Sequence, residues 1–266
     1  MLKKVTTGSE GLDKILGGGI PEGNQVILAG GPGAGKTLLS MAFLYKNAKQ
    51  GLNGSIISLE ETKEQIIKFT KEAFPEFNDI DGLINSGKLT IYDMDVLGEN
   101  VEGTFIESRA AITYMSEEVG TRERTINDFF KGIGKNLPKL LDDTKSKIIV
   151  IDNITVLRNL IKDGYEYRNF VTTLAHVLKR NSLTSIVIAE LSDPREDKLV
   201  FDLEFFTFDG IIAMYHSFGI GKKVPSMEVI KMRGTDHSGI SVPYKITSSG
   251  IKLFDINLRP PNAGTG

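Results

Sequence analysis

A glycine-rich loop between a predicted strand and a predicted helix is the feature that most constrains this chain. The stretch GGPGAGKT, Gly30–Thr37, satisfies the pattern G-x-x-x-x-G-K-[ST]. An apolar run, Gln25–Ala29, precedes the loop, and apolar residues recur at helical spacing through Thr37–Ala48 after it. A strand, a loop and a helix in this order are what a phosphate-binding loop (P-loop) requires, since loop N–H groups and the helix N-terminus bind phosphate oxygens. A chance glycine-rich turn is the alternative, and the flanking elements argue against it.

The loop predicts ATP and Mg²⁺ as ligands. Lys36 would reach the β- and γ-phosphates, where its charge also makes it a candidate catalytic residue. The Thr37 hydroxyl would occupy one coordination position of Mg²⁺. The predicted nucleotide-binding residues are Gly31, Pro32, Gly33, Ala34, Gly35, Lys36, Thr37 and Leu38.

The rest of the chain alternates between strand and helix patterns. After the P-loop helix, strands are predicted at Ser55–Leu59 and Lys88–Tyr92, and buried strands at Lys147–Asp152 and Ser185–Glu190. A capping box, Thr62 with Gln65, starts a helix that runs to about Phe74, and another helix is predicted at Tyr165–Arg180. Strands that alternate with helices pair in parallel, so we predict an α/β fold of mainly parallel sheet flanked by helices.

The chain is predicted to form one domain over residues 1–258. Its C-terminal part is β-rich, with strands predicted at Gly210–Tyr215, Met227–Met232, Tyr244–Thr247 and Ile251–Ile256. A polar segment of mixed charge at about 97–146 has a helical pattern and is interpreted as an insertion. Arg122 and Arg124 lie there among glutamates, which favours a solvated helix face. Residues 259–266 are predicted to form a loose tail.

Acidic residues follow the predicted strands. Asp152 ends an apolar strand, where a second Mg²⁺-organising carboxylate belongs, although strand-end aspartates also cap turns. Glu60 and Glu61 lie between a strand and the Thr62 helix cap. Because parallel strands end at one edge of a sheet, these acids converge with the P-loop, and Glu61 or Glu60 is a candidate base for the attacking water. The alternative is that Glu60 and Glu61 are merely two acids placed favourably near a helix N-terminus. Glu190 lies at the same edge, and no role is predicted for it.

Composition excludes several classes of protein. The net charge of −2 and the pI of about 6.0 give no overall basic field for nucleic acid. Cysteine is absent, which excludes thiolate chemistry and disulfides. No apolar run approaches the roughly 20 residues that span a bilayer, so we predict a cytoplasmic protein without a membrane partner. His176 is interpreted as a structural helix residue and His216 as a surface residue at a strand end.

A basic stretch, VIKMRGTDHS, lies near the C-terminal end of the chain. In a regular strand Lys231 and Arg233 share one face about 6.5–7 Å apart, and Ile230 and Met232 pack on the other. Gly234 permits a turn that returns His237 toward the two cations. The stretch is either an ordinary exposed strand end or a set of contacts to a triphosphate.

Together these motifs resemble the KaiC-like branch of the RecA-fold ATPases. The segments TGSEGLDKILGGGIPEG, the P-loop, LEET, VID and KMRGTDH occur in that family's order, and the resemblance runs from Thr6 to about Phe254 except for the polar insertion. The resemblance implies a RecA-type core that binds MgATP, in a ring commonly of six subunits with nucleotide at each boundary. By the same resemblance Glu60 and Glu61 match paired catalytic glutamates, and Asp152 matches the Walker B acid that holds Mg²⁺ through water. Lys231, Arg233 and His237 match residues that reach ATP from the neighbouring subunit.

The chain departs from the clock-type members of that family in two ways. It carries one such domain where they carry two in tandem. Where the phosphorylated domain has a Ser/Thr pair, this chain reads EFFTFDG, with phenylalanines at the matching positions and only Thr207 nearby. The same autophosphorylation cycle is therefore not expected.

Four functions are compatible with these motifs. The first is a homo-oligomeric ATPase that acts on an unidentified protein client, and the resemblance implies a hexamer. The second is a protein kinase or autokinase, and the third is an ATP-gated scaffold that does not hydrolyse, as in archaellum-associated relatives. The fourth, a DNA-binding recombination accessory protein, is disfavoured because acids outnumber bases in the segment LSDPREDKLVFDLEFF. These residues are Asp193, Glu196, Asp197, Asp202 and Glu204, against Arg195 and Lys198.

Overall fold

A nine-stranded sheet with helices on both faces positions the P-loop and the acids around it. The computed structural model describes residues 2–93, 137, 140–161, 163–191, 204–219 and 222–254. The predicted insertion, the acidic segment LSDPREDKLVFDLEFF and the predicted tail lie largely outside these residues. Of the insertion, the described Leu137 and Leu141 are buried in the core.

The described strands and helices are as follows. The strands are β1 (Lys4–Val5), β2 (Ile20–Pro21), β3 (Gln25–Gly30), β4 (Gly54–Ser58), β5 (Leu89–Tyr92), β6 (Ile148–Asp152), β7 (Thr184–Glu190), β8 (Gly210–Gly219), β9 (Lys222–Met232), β10 (Val242–Thr247) and β11 (Gly250–Leu253). The helices are α1 (Glu10–Ile15), α2 (Lys36–Lys49), α3 (Lys63–Ala73), α4 (Ile80–Asn85), α5 (Thr155–Leu160), α6 (Gly164–Arg180) and α7 (Glu204–Thr207).

The strand order confirms the predicted α/β fold. The main sheet runs β11-β10-β9-β8-β3-β7-β6-β4-β5, and the strands from β8 to β5 pair in parallel. The last three strands continue the sheet antiparallel. We call the edge where the parallel strands end the carboxyl edge and the opposite edge, where they begin, the amino edge. The P-loop follows β3 at the carboxyl edge.

The central strands are buried on both faces, as their unbroken apolar sequences predict. In β3, Val26 and Leu28 pack on the face that carries α2, whereas Ile27 and Ala29 pack on the face that carries α6. All six residues of β3 are buried. This alternation follows from the two-residue period of a strand, and it leaves only the strand ends for polar side chains.

The N-terminal signature TGSEG attaches α1 to the P-loop helix. Gly8 has a φ of +84°, and a Cβ there would lie 2.4 Å from the backbone carbon of Ala42 in α2. Only glycine permits both the left-handed backbone and this close approach. The Thr7 hydroxyl and backbone N–H both donate to Asp13 Oδ1, at 2.6 and 2.7 Å, and hold the turn into α1.

The short elements β1, β2, α4, α5 and α7 were not predicted, because two to six residues carry too little periodicity. The Thr62–Gln65 capping box is confirmed at the start of α3. None of the described helices is both long and apolar enough to cross a membrane.

Candidate nucleotide-binding site

The P-loop joins the end of β3 to the start of α2. Gly35 caps α2 with a φ of +86°, so the loop turns sharply before the helix begins. The Lys36 ammonium donates to the carbonyl oxygens of Gly30 and Gly31, each at 3.0 Å. Its side chain is thereby folded over the loop, at the place where the motif predicts phosphate.

The C-terminal hairpin supports this loop from outside. The Tyr244 hydroxyl, from β10, donates to the Ala34 carbonyl oxygen at 2.5 Å. A Cβ at Gly35 would lie 3.3 Å from Ile246 Cδ1 of the same hairpin. Sequence reasoning missed both contacts, because Tyr244 stands 210 residues from Ala34 and no local pattern links them.

Thr37 and Asp152 meet at the carboxyl edge. The Thr37 hydroxyl donates to Asp152 Oδ2 at 2.7 Å, and Asp152 is 6% exposed. Hydroxyl and carboxylate oxygens are the donors that Mg²⁺ prefers, and this ion typically takes few protein ligands beside water and phosphate. The residues present therefore fit a nucleotide-bound Mg²⁺.

Glu60 and Glu61 lie at the same edge, between β4 and α3. Asn153 Nδ2 donates to Glu60 Oε2 at 2.7 Å, which orients that carboxylate. The Asn153 Oδ1 atom accepts from the Thr155 N–H at 2.8 Å and so ties the same residue to α5. The turn that carries Glu61 is fixed by Ser58, whose hydroxyl donates to the Glu61 carbonyl at 2.7 Å. Asn153 and Ser58 were not predicted.

Burial and the charges of neighbouring acids raise the pKa values of Asp152, Glu60 and Glu61. Burial raises the pKa of Asp152 to about 6, and the nearby Glu61 and Glu190 add to the effect. Burial also raises the pKa of Glu60, helped by Asp152 and Glu190, and the pKa of Glu61, helped by Glu60. Burial lowers the pKa of Lys36, although Glu190, Asp152 and Glu60 oppose this. The edge holds more negative charge than Lys36 balances, which favours a bound cation.

Glu190 belongs to this cluster although the sequence analysis gave it no role. It ends β7 opposite Gly30 of β3, and its backbone N–H donates to the Thr155 hydroxyl at 2.8 Å. It also influences the pKa values of Lys36 and Glu60. The register of β7 on β3, which is a tertiary property, brings it there.

Lys231 and Arg233 do not join this cluster. Met232 pairs with Gly210 at the start of β8, and the Arg233 N–H donates to the Asp209 carbonyl at 2.9 Å. Both cations therefore lie at the amino edge, near the start of β3. The Lys231 ammonium donates to the Phe208 carbonyl at 2.7 Å.

The predicted alternation of β9 is wrong at Ile230. The pairing with β8 jumps from Val229 to Lys231, so Ile230 is the extra residue of a β-bulge. Ile230 consequently packs in the α6-facing part of the core, whereas Met232 packs on the α2 face. A regular strand would have placed these two side chains together.

The structure also places the three histidines and the phenylalanines of the EFFTFDG segment. His237, in the turn after Gly234, is half-buried, and its Nδ1 has no hydrogen-bond partner among the described residues. His176 lies on α6 but faces solvent. His216 was predicted at a strand end, yet β8 continues to Gly219 and leaves it half-buried within the strand. Phe205 is buried and Phe206 is 69% exposed.

Asp152→Asn is expected to stabilise the nucleotide-free protein. The pKa of Asp152 is about 6 in the folded protein against an ordinary 3.8, so folding loses stability as pH rises between those values. At about 1.4 kcal/mol for each pKa unit, the amide should gain on the order of 2–3 kcal/mol above that range and nothing below it. Urea unfolding of both proteins at about pH 4 and about pH 7.5 measures this. An equal difference at both pH values would contradict it.

The chain is similar to known proteins along nearly its whole length. The model of the family described as "ATPase: KaiC" matches residues 5–257. A UPF0273 protein of Thermotoga maritima is 31% identical over 266 residues, 100% of both chains. A UPF0273 protein of Pyrococcus horikoshii is 31% identical over 96% of this chain and 95% of its own.

A longer relative and a solved structure are also similar to this chain along nearly its whole length. The circadian clock oscillator protein KaiC of a Picosynechococcus strain is 28% identical over 96% of this chain, which spans 45% of that protein. The crystal structure of a KaiC-like protein of Pyrococcus horikoshii superposes with a TM-score of 0.74 at 23% identity, covering 96% of this chain and all of that one. That likeness shows the fold. The family match shows that this chain belongs to the KaiC family of ATPases.

Proposed function

We propose that this protein is a Mg²⁺-dependent ATP hydrolase that works as a head-to-tail assembly, with each nucleotide bound between two subunits. The observation that carries the proposal is the separation of two groups of residues. The P-loop and its acids lie at the carboxyl edge, whereas Lys231 and Arg233 lie at the amino edge.

The separation is too large for Lys36 and Arg233 of one subunit to reach the same γ-phosphate. From Gln25 to Gly30, β3 spans five residue steps, or about 16 Å at about 3.3 Å per step. The Arg233 N–H bonds Asp209, which bonds Gln25 at the start of β3, so Arg233 lies at the amino edge. If these cations bind ATP, that ATP is held by another subunit's P-loop.

A head-to-tail contact of this kind repeats from subunit to subunit. The two surfaces are different, so the interface is heterologous and generates a ring when the rotation closes. Six subunits remain the expectation from the family resemblance.

Each residue at the carboxyl edge has a role in this proposal. Lys36 would exchange its bonds to Gly30 and Gly31 for the β- and γ-phosphates. Glu61, whose pKa is raised by burial, would accept a proton from the attacking water, and Glu60, held by Asn153, would orient the same water. Thr37 and Asp152 would hold Mg²⁺, Asp152 through water. When bound, that ion supplies positive charge to the phosphates.

The neighbouring subunit would supply the remaining positive charge. Arg233 and Lys231 would stabilise charge that develops on the γ-phosphate, as an arginine finger does. By the family resemblance His237, in the turn that follows Gly234, would complete this group.

Arg233→Ala is expected to slow hydrolysis by about 10- to 100-fold while ATP binding stays nearly unchanged. Lys231 supplies a second cation, so the loss is smaller than for a lone arginine finger. Mixing this variant with Lys36→Ala protein should partly restore activity, because a Lys36→Ala subunit can still offer Arg233 to an intact P-loop. Steady-state turnover and particle mass, with and without MgATP, measure both effects.

Two outcomes would overturn the proposal. If mixed assemblies form, as mass measurement of tagged subunits can show, and no activity returns, Arg233 acts within its own subunit. If the protein stays monomeric at full turnover, the nucleotide needs no neighbour.

A further inference from the structure

A buried carboxylate, Asp209, lies between the P-loop strand and Arg233. Its side chain is 8% exposed. The Oδ2 atom accepts from the Gln25 N–H at 3.3 Å, and the Oδ1 atom accepts from Arg233 Nη1 at 3.3 Å. The Asp209 N–H in turn donates to the Gln25 carbonyl at 2.9 Å. One side chain therefore joins the first residue of β3 to the guanidinium.

The backbone of Arg233 is held from two sides. Its N–H donates to the Asp209 carbonyl at 2.9 Å, and its carbonyl accepts from Asn24 Nδ2 at 2.8 Å. Asn24 and Gln25 are consecutive, so Arg233 is attached to the beginning of the strand that ends in the P-loop.

The guanidinium itself stays available. The Arg233 side chain is 58% exposed, and a guanidinium carries five N–H donors, of which the bond to Asp209 engages one on Nη1. An exposed arginine without such an anchor samples many rotamers and loses that freedom when it binds. The ion pair restricts the side chain before a phosphate arrives.

We propose that Asp209 is a positioning residue for the trans-acting arginine: it holds Arg233 at the amino edge, oriented toward the nucleotide of the neighbouring subunit. This inference rests on the proposed function, because it gives Arg233 a phosphate to bind. Asp209 touches no nucleotide and acts through Arg233.

The chemistry of the position favours a carboxylate. Gln25 and Arg233 are both donors and approach different oxygens of Asp209. An asparagine has one acceptor oxygen and an NH₂ group, so it can satisfy only one of them. Leaving the buried Gln25 N–H unpaired costs more than leaving the exposed guanidinium to water, so the amide oxygen should turn to Gln25. Asp209→Asn therefore releases Arg233 selectively.

Asp209→Asn is expected to lower kcat for ATP hydrolysis about tenfold, with KM changed less than about threefold, since only transition-state stabilisation is lost. Lys179→Ala is the matched control. Lys179 pairs with the same carboxylate at 3.7 Å from α6, and its side chain is 66% exposed, so its loss should leave kcat unchanged. In the Arg233→Ala background, Asp209→Asn should have no further effect.

Mixed assemblies provide a second test, because a variant that merely disturbed its own fold would not regain activity on mixing. An Asp209→Asn subunit keeps its own P-loop, so Lys36→Ala subunits with an intact Arg233 should restore part of its activity. Urea unfolding shows whether the variant folds. If it does not, Asp209→Glu, which keeps the carboxylate but displaces its two oxygens from Gln25 and Arg233, takes its place with the same expected pattern.

The outcomes separate this inference from the proposed function. If Arg233→Ala slows hydrolysis and Asp209→Asn in folded protein does not, the positioning role is wrong and the proposed function stands. Additive losses in the double variant would also overturn the positioning role. If Arg233→Ala itself has no effect, the proposed role of the neighbouring subunit fails first.

Discussion

Lys36→Ala is expected to reduce ATP hydrolysis on the order of 10²–10³-fold, because it removes the cation that the P-loop presents to the transferred phosphate. ATP affinity should fall as well, since Lys36 contacts phosphate both before and during the reaction. In the structure its ammonium lies over the Gly30 and Gly31 carbonyls, where Glu190, Asp152 and Glu60 oppose the lowering of its pKa by burial. Steady-state turnover and equilibrium ATP binding measure the two effects.

Lys46→Ala is a suitable control for this variant. Lys46 lies on the same helix, α2, but its ammonium is beside the rings of Tyr45 and Phe77, away from the P-loop. Hydrolysis at the wild-type rate in the Lys36→Ala protein would show that the P-loop takes no part in the reaction. Equal losses in both variants would point instead to damage of α2.

Glu61→Gln is expected to slow hydrolysis about 10²–10⁴-fold while MgATP still binds, because an amide cannot accept a proton from water. Glu60→Gln should lower the rate less, since its Asn153 contact can be kept by an amide oxygen. Burial raises the pKa values of both carboxylates, which brings their basicity closer to what proton transfer at neutral pH requires. Single-turnover hydrolysis of bound ATP compares the three proteins.

A reversed ranking would assign the proton transfer to Glu60. Undiminished hydrolysis in both variants would exclude the pair from the chemistry and leave them as acids near the start of α3. Steady-state hydrolysis of γ-labelled ATP by the wild-type chain tests the alternatives for the whole protein. Many turnovers by the wild-type chain exclude a scaffold without hydrolysis, and transfer of γ-phosphate to protein would indicate a kinase.

The carboxyl edge of the site was predictable because each part of it belongs to a local pattern. The P-loop needs only a strand, a loop and a helix in sequence. Asp152 and Glu61 follow strands whose apolar residues identify them. Once the strands are parallel, their ends meet at one edge without further information. The acids therefore came together although their partners Asn153 and Ser58 were not foreseen.

The C-terminal strands were less predictable, since their positions depend on pairing between distant residues. The bulge at Ile230 is visible only in the register of β9 on β8, and it reverses the face on which one apolar residue packs. The long β8–β9 pairing likewise places His216 within a strand. Periodicity in one segment cannot report where a neighbouring strand inserts or omits a residue.

The sequence by itself determined the phosphate-binding loop, the acids beside it and the parallel sheet that unites them, because contiguous residues encode all three. Only the tertiary structure decided that Lys231 and Arg233 lie at the other edge of that sheet, that Tyr244 supports the P-loop, and that Asp209 holds Arg233. Asp209 and Arg233 are 24 positions apart in the chain, and Ala34 and Tyr244 are 210 apart. These relations arise from strand order and register, which depend on the packing of the whole core and not on any one segment.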